Sequence, residues 1–333
     1  MMRNRGLVAL VGLAAALSFG GVAPEHEKSA AQVVALHSAG SAVSLGSALP
    51  RRATAVFAKA PPKGTIVLGR SFPNASNTGV PDAIKRQLKA YRGSCTITAK
   101  NVRIDRKIIT CDQLRLLGPR TRITNSIIRG TVYSDCCYLN GSYSLTDSEV
   151  HGPKATATVV GEARFELTRV EITGGSRSVF CNIRCVIRDS YLHGQYTDKR
   201  GIDHESGVRM DTGLTFVRNH VTCDATPVPP DAGCSAAITG YGDFGPVRNN
   251  RLANNLIDGG PHGSMGYCAY GGSTRGKPYP KARHVRFVNN IFRRGAKGKC
   301  GIWGPVTSFD VKAPGNVWKN NLWDDGKPVR ATM

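Results

Sequence analysis

The sequence is poor in aromatic residues, which make up 7% of its 333 positions, and poor in acid, with 23 Asp and Glu against 45 Lys and Arg. Few aromatics beside 38 glycines suit a chain of many turns and short strands and argue against a helical bundle. After one apolar run at the N-terminus, no segment is long and apolar enough to span a bilayer. The ten cysteines form no Cys-x-x-Cys pair and there is no His-Glu-x-x-His, so the usual zinc spacings are missing. No nucleic-acid-binding motif is present, which leaves no basis for specific nucleic-acid recognition. Asn140-Gly141 and Asp325-Gly326 are isolated hairpin-type turns that do not recur with any period, which disfavours a β-propeller or sandwich, the alternative fold.

What is present begins with an export signal. Arg3 and Arg5 precede an apolar run over residues 7–19, and small residues follow at Gly20, Gly21 and Ala23. Residues 1–23 are expected to be a signal peptide whose cleavage site is left open because Pro24 sits badly after Ala23; a retained anchor is the alternative. Residues 24–70, rich in Ala, Ser and Pro, read as a disordered tether, and residues 71–333 as the folded domain, with order beginning near Phe72. In an exported chain the cysteines should pair. Short separation favours Cys95 with Cys111, Cys181 with Cys185, and Cys223 with Cys234, with Cys268 and Cys300 left to pair across a long segment. Cys136 and Cys137 then form a vicinal bridge or stay free. The formal net charge of +22 suits polyanionic partners outside a cell, such as acidic polysaccharides, wall polymers or free DNA, or only a solvated basic coat.

One phrase recurs: apolar, any residue, Asn- or Asp-like, Ser- or Asn-like, any residue, apolar. It appears as Ile123-Thr-Asn-Ser-Ile-Ile-Arg-Gly130, Leu145-Thr-Asp-Ser-Glu-Val-His-Gly152, Leu167-Thr-Arg-Val-Glu-Ile-Thr-Gly174 and Ile187-Arg-Asp-Ser-Tyr-Leu-His-Gly194. It continues as Val217-Arg-Asn-His-Val, Leu252-Ala-Asn-Asn-Leu-Ile-Asp-Gly259, Phe287-Val-Asn-Asn-Ile-Phe and Trp318-Lys-Asn-Asn-Leu-Trp. The third position falls at 125, 147, 169, 189, 219, 254, 289 and 320. Asn and Asp tolerate left-handed backbone angles and bond their own turn, so each copy predicts a turn between two inward apolar residues. No copy can bury its apolar face alone, so the copies must stack, and equivalent asparagines can bond one another in a ladder. The fold expected is all-β, a right-handed parallel β-helix. A short capping helix is expected over residues 81–91, with Ile84, Leu88 and Tyr91 on one face. The longer spacings between residues 190 and 320 predict loops on one side, where function should concentrate.

Those loops carry the candidate residues. His204, Glu205, Arg209 and Lys277 are the candidate catalytic groups, and Asp211, Tyr241, Asp243, Tyr270 and Trp303 the candidate substrate-binding ones. If the segments 207–211, 236–240, 266–271 and 301–304 stack, then Arg209, Thr239, Tyr270 and Trp303 share a face. Elimination on a uronate needs a cation on the carboxylate, a base for the adjacent proton and an acid for the leaving oxygen. Arg209 suits the first role, His204 or Lys277 the second, and Tyr241 or Tyr270 the third. Hydrolysis would instead use two carboxyls from among Asp203, Glu205, Asp211 and Asp243. Ca²⁺ held by Asp203, Glu205 and Asp211 is a further option, with the metal otherwise unknown.

The repeated Asn turns resemble the pectin-lyase-like right-handed parallel β-helix superfamily. More narrowly, the chain resembles a secreted actinobacterial β-helix family. The matching stretches are Phe72-Pro-Asn-Ala-Ser-Asn-Thr-Gly-Val-Pro81, His193-Gly-Gln-Tyr-Thr-Asp198, His204-Glu-Ser-Gly207, Pro229-Pro-Asp-Ala-Gly-Cys234, Gly266-Tyr-Cys-Ala-Tyr-Gly-Gly272 and Gly315-Asn-Val-Trp318. The superfamily implies polysaccharide lyases and glycoside hydrolases, together with binding and surface proteins. This chain departs from pectate lyases in having no match to their catalytic arginine and calcium-carboxylate motifs. The expectation is therefore a secreted, monomeric, carbohydrate-active protein free of the membrane, acting on an acidic polysaccharide or cell-wall polymer with a lyase reaction first. The rivals are a non-catalytic binding protein of the wall or matrix and a non-specific binder of nucleic acid.

Overall fold

A computed structural model describes residues 64–135 and 140–333. The expected signal peptide, most of the tether, and Cys136 and Cys137 lie outside the described residues. The chain is all-β, with 24 strands joined in one large sheet by parallel pairings. Each strand bonds its counterpart one repeat further on, and this produces three apolar ladders. The first runs Ile104, Ile123, Leu145, Leu167, Ile187, Phe216, Leu252, Phe287 and Trp318. The second runs Ile109, Ile128, Val150, Ile172, Leu192, Val221, Ile257, Phe292 and Trp323. The third runs Leu114, Val132, Val160, Val179, Val208, Ile238, Ala269 and Val306. All of these belong to or pack against one core. Three stacked faces around one core are compatible with a β-helix.

The turn between the first two ladders is left-handed at residues 125, 147, 169, 189, 218, 254, 289 and 320. This corrects the fifth copy by one residue. Its first apolar position is Phe216, its turn residue is Arg218, and Asn219 holds the fourth position rather than the third. The fourth positions are buried and form the hydrogen-bonded ladder. Val170 N donates to Ser190 Oγ, Ser190 N to Asn219 Oδ1, Asn219 N to Asn255 Oδ1, Asn255 N to Asn290 Oδ1 and Asn290 N to Asn321 Oδ1, at 2.9–3.1 Å. Arginines at the third position are tied to the preceding repeat: Arg169 takes Asp147 and Arg218 takes Asp189, each through two bonds.

The expected capping helix is reduced to one turn, Asp82–Lys85, which buries no residue. It ends because Lys89–Ala90 pairs as a strand with Lys107 and Ile108, so sheet pairing replaces the helix over the rest of 81–91. Order also begins before Phe72, since Thr65–Val67 pairs antiparallel with Arg70–Phe72. From that hairpin the segment to Lys85 runs outside the second ladder. Phe72 packs on Leu256 and Ile291, Pro73 O accepts from His220, and Val80 N and Lys85 bind Glu149.

The four expected disulfides, Cys95–Cys111, Cys181–Cys185, Cys223–Cys234 and Cys268–Cys300, are all present. Among the described residues no helix is long and apolar enough to cross a membrane. Both features are compatible with an extracellular protein.

Candidate functional site

The site stands on the outer side of the third ladder. Inward Val179, Val208 and Ile238 alternate with outward neighbours, and Phe180, Arg209 and Thr239 are aligned in register. Ile238 pairs with Ala269 and Tyr270 with Thr307, so Tyr270 continues the row. Trp303 does not. The strand there is Gly304–Thr307, and Thr307 takes the position expected for Trp303, which lies before the strand and is 72% exposed.

A cavity of about 320 Å³ opens over this row, lined by Arg177, His204, Ser206, Arg209, Ser235, Thr239, Tyr241, Asp243, Thr274 and Lys277. Its centre is an ion-pair bridge. Arg209 Nη2 lies 2.5 Å from Asp243 Oδ2, and Lys277 Nζ lies 2.8 Å from Asp243 Oδ1. Burial opposes ionisation of Asp243, but Lys277 and Arg209 outweigh it and hold its carboxyl below the usual range. The Arg209 guanidinium is buried among rings, 4.4 Å from the Phe244 centroid, 5.6 Å from Tyr241 and 5.7 Å from Phe180. Arg177, mostly buried beside it, is depressed to about 10, first by desolvation and then by the Arg209 charge. Three cations thus face one small cavity with one carboxylate between two of them.

Beneath the bridge lies Asp211, two residues beyond Arg209 on the same side of its strand. It is 1% exposed, and neither carboxylate oxygen has a hydrogen-bond partner among the described residues. Desolvation pushes it up to about 7; Arg209 draws it down and Asp243 pushes it further up. The phenols stack edge to face, Tyr241 on Tyr270 at 4.8 Å and Tyr270 on Tyr267 at 5.3 Å. Burial raises both Tyr241 and Tyr270, and Ser235 and Arg209 partly counter it for Tyr241.

The proposed acid–base neighbours separate. His204 is on the cavity rim, with Nε2 3.3 Å from Asp231 Oδ1. Glu205 is fully buried on the other side of the strand, where Oε1 accepts the Asp198 N–H at 2.8 Å. Burial raises its carboxyl, and that hydrogen bond pulls the other way. The Ca²⁺ trio is not assembled either. Asp203 is held by Arg200 and Thr156, while Glu205 and Asp211 are buried apart. Among the described residues no three His, Cys, Asp or Glu side chains gather to hold a metal ion.

A second cavity of about 510 Å³ shares His204, Ser235 and Tyr241 with the first and continues to Tyr270, His262, Lys297 and Trp303. The structure therefore brings together Arg209, Lys277, Tyr241, Asp243 and His204, and puts Tyr270 and Trp303 in the adjoining cavity. Asp211 lies below and Glu205 outside. Sequence reasoning missed Arg177, which belongs to no long loop. The signal for it was the repeat itself: Arg177 stands twelve residues before turn residue Asp189, as Ser206 stands twelve before turn residue Arg218, and the two pair in register. Comparison with protein-family models, with curated proteins and with solved structures finds no match to this chain.

Proposed function

We propose that the chain is a secreted right-handed parallel β-helix of the pectin-lyase-like kind, and that it binds and cleaves an acidic polysaccharide in this double cavity. The observation that carries the reading is the convergence of Arg209 and Lys277 on the two oxygens of one carboxylate, with Arg177 behind them. Cations in a site walled by protein bind a carboxylate far better than the same charges in water. Exposed Trp303 and the tyrosines of the second cavity offer ring faces for neighbouring sugars.

The reaction this set serves best is β-elimination on a uronate. Neutralising the carboxylate at Arg209 and Lys277 acidifies the proton on C5. His204, oriented by Asp231, takes that proton. The C5–H electron pair becomes the C4=C5 double bond, and the C4–O bond breaks with its pair going to the glycosidic oxygen. That oxygen receives a proton from Tyr241 or Tyr270. Lys277 in its ion pair serves as a cation rather than a base.

A second reading has its own support. The acid best suited to proton transfer near neutral pH, Asp211, is sealed from the cavity, which suits a protein that holds the glycan without cutting it. Purified protein incubated with acidic and neutral polysaccharides, with and without Ca²⁺, decides between them. New ultraviolet absorbance from unsaturated uronyl ends supports the lyase. Reducing ends without that absorbance point to hydrolysis. Co-sedimentation without product supports binding alone.

A further inference from the structure

Asp243 lies on a short tip of chain between two anchors. Tyr279 N donates to Gly242 O at 3.0 Å on one side, and Thr212 Oγ1 donates to Pro246 O at 2.8 Å on the other. Between them, Asp243, Phe244 and Gly245 make no backbone–backbone hydrogen bond among the described residues. What holds the tip is the Asp243 carboxylate on Arg209 and Lys277, and the Phe244 ring over the guanidinium. That ring remains 66% exposed. Gly245 closes over Asp211 so tightly that a Cβ there would come within 3.0 Å of Oδ2.

The closed arrangement leaves polar groups unpaired. Arg209 gives Asp243 one nitrogen while its buried Nε has no partner, and both oxygens of Asp211 have none. Each such group is disfavoured against a state in which it is bonded. The closed tip is therefore held by ion pairs and opposed by what it covers, which is the condition for a two-state element.

We infer that Asp243 is an internal occupant of the anion site: it holds the place of a ligand carboxylate on Arg209 and Lys277, and an incoming carboxylate displaces it, lifting residues 243–245 and uncovering Asp211. This rests on reading Arg209 and Lys277 as the anion site, and it names the group recognised there. A planar carboxylate giving one oxygen to each cation is what the protein itself supplies. Opening also depends on pH. Asp211 faces Arg209, Arg177, Asp243 and Glu162; covered, it holds its proton up to about pH 7, whereas uncovered it should return toward the ordinary 3.8. Opening then releases a proton between those values and becomes easier as pH rises through that window, levelling off above it.

The test uses trigalacturonate as the probe, at fixed ionic strength, with the full chain and its Asp243→Asn, Asp243→Ser and Asp243→Glu variants. Affinity is measured by calorimetry, and the Asp211 carboxyl carbon is titrated by NMR. The expected result is binding on the order of tenfold tighter in Asp243→Asn and Asp243→Ser, with Asp243→Glu near the parent. Asp211 should titrate high in the free parent and fall toward ordinary values in the complex and in both neutral variants. Unchanged or weaker binding, with Asp211 still titrating high, would overturn the inference. If no form binds trigalacturonate but the backbone amides of residues 243–245 exchange with solvent faster in the neutral variants than in the parent, the gate stands and the uronate reading fails. If neither changes, both fail.

Discussion

Asn255 Nδ2 donates to Asn290 Oδ1 at 2.9 Å, and Asn290 Nδ2 donates in the same way to Asn321 Oδ1 at 2.9 Å. Each amide also receives the backbone N–H of the residue one repeat earlier. These side chains are buried and their hydrogen bonds run unbroken across the repeats, so removing one leaves partners unsatisfied on both sides. Asn255→Ala should cost about 2–4 kcal/mol, read by denaturant unfolding, because Asn219, Phe216 O and Asn290 all lose a bond. An exposed turn residue such as Asn320 should cost far less when changed to Gly, since its left-handed angle suits glycine.

Asp211 gives a pH dependence of opposite sign to the usual carboxylate. Its folded value, about 7, lies above its unfolded value near 3.8, so the folded chain holds the proton more tightly. Stability is then lost as pH rises from about 4 to 7. Asp211→Asn removes this loss. It should stabilise by up to about 2–4 kcal/mol at pH 8 and by little at pH 4. Unfolding midpoints for both proteins across that range check it. Equal midpoints at pH 8 would show that folding does not raise the carboxyl above its unfolded value.

Glu149 behaves in the ordinary sense. Burial works to raise it, but His151, Lys85 and the Val80 N–H hold it down to about 2. Its contribution is present above its unfolded value near 4.5 and lost as pH falls toward 2. Glu149→Gln should cost about 2–3 kcal/mol at pH 7, with the difference vanishing near pH 2. Because Glu149 fastens residues 80–85, the variant should also be cut faster there by a protease at neutral pH.

The repeat was legible because every copy carries the same local chemistry: an apolar residue, a left-handed turn and an apolar residue. Seven of the eight turn residues follow directly from that phrase. The fifth was misplaced because Arg218 occupies a conformation usual for Asn, and its neighbour Asn219 draws the eye. The helix over 81–91 looked amphipathic, yet Lys89 and Ala90 found strand partners in Lys107 and Ile108, which no local pattern reveals. Lys277 and Asp243 were legible as a basic and an acidic group in long loops, and Arg209 as a basic group on the strand that follows one. Their bridge was not, because it joins residues 34 positions apart through a loop conformation. His204 and Glu205 show the limit of proximity: adjacent residues in a strand point to opposite sides, so closeness in sequence separated them in space.

The central claim is that the basic cavity, not the basic coat, recognises an acidic glycan. The most direct measurement is co-sedimentation and calorimetric affinity for polygalacturonate, alginate and hyaluronan by three proteins: the parent, Arg209→Gln with Lys277→Met, and Arg103→Gln with Arg122→Gln as an exposed basic control of equal charge loss. The account predicts that at least one polymer is retained by the parent, that the cavity pair weakens its affinity by tenfold or more, roughly 1.4 kcal/mol, and that the control binds like the parent. Equal losses in the two double variants, or undiminished binding by the cavity pair, would contradict it and leave the charge as a non-specific coat.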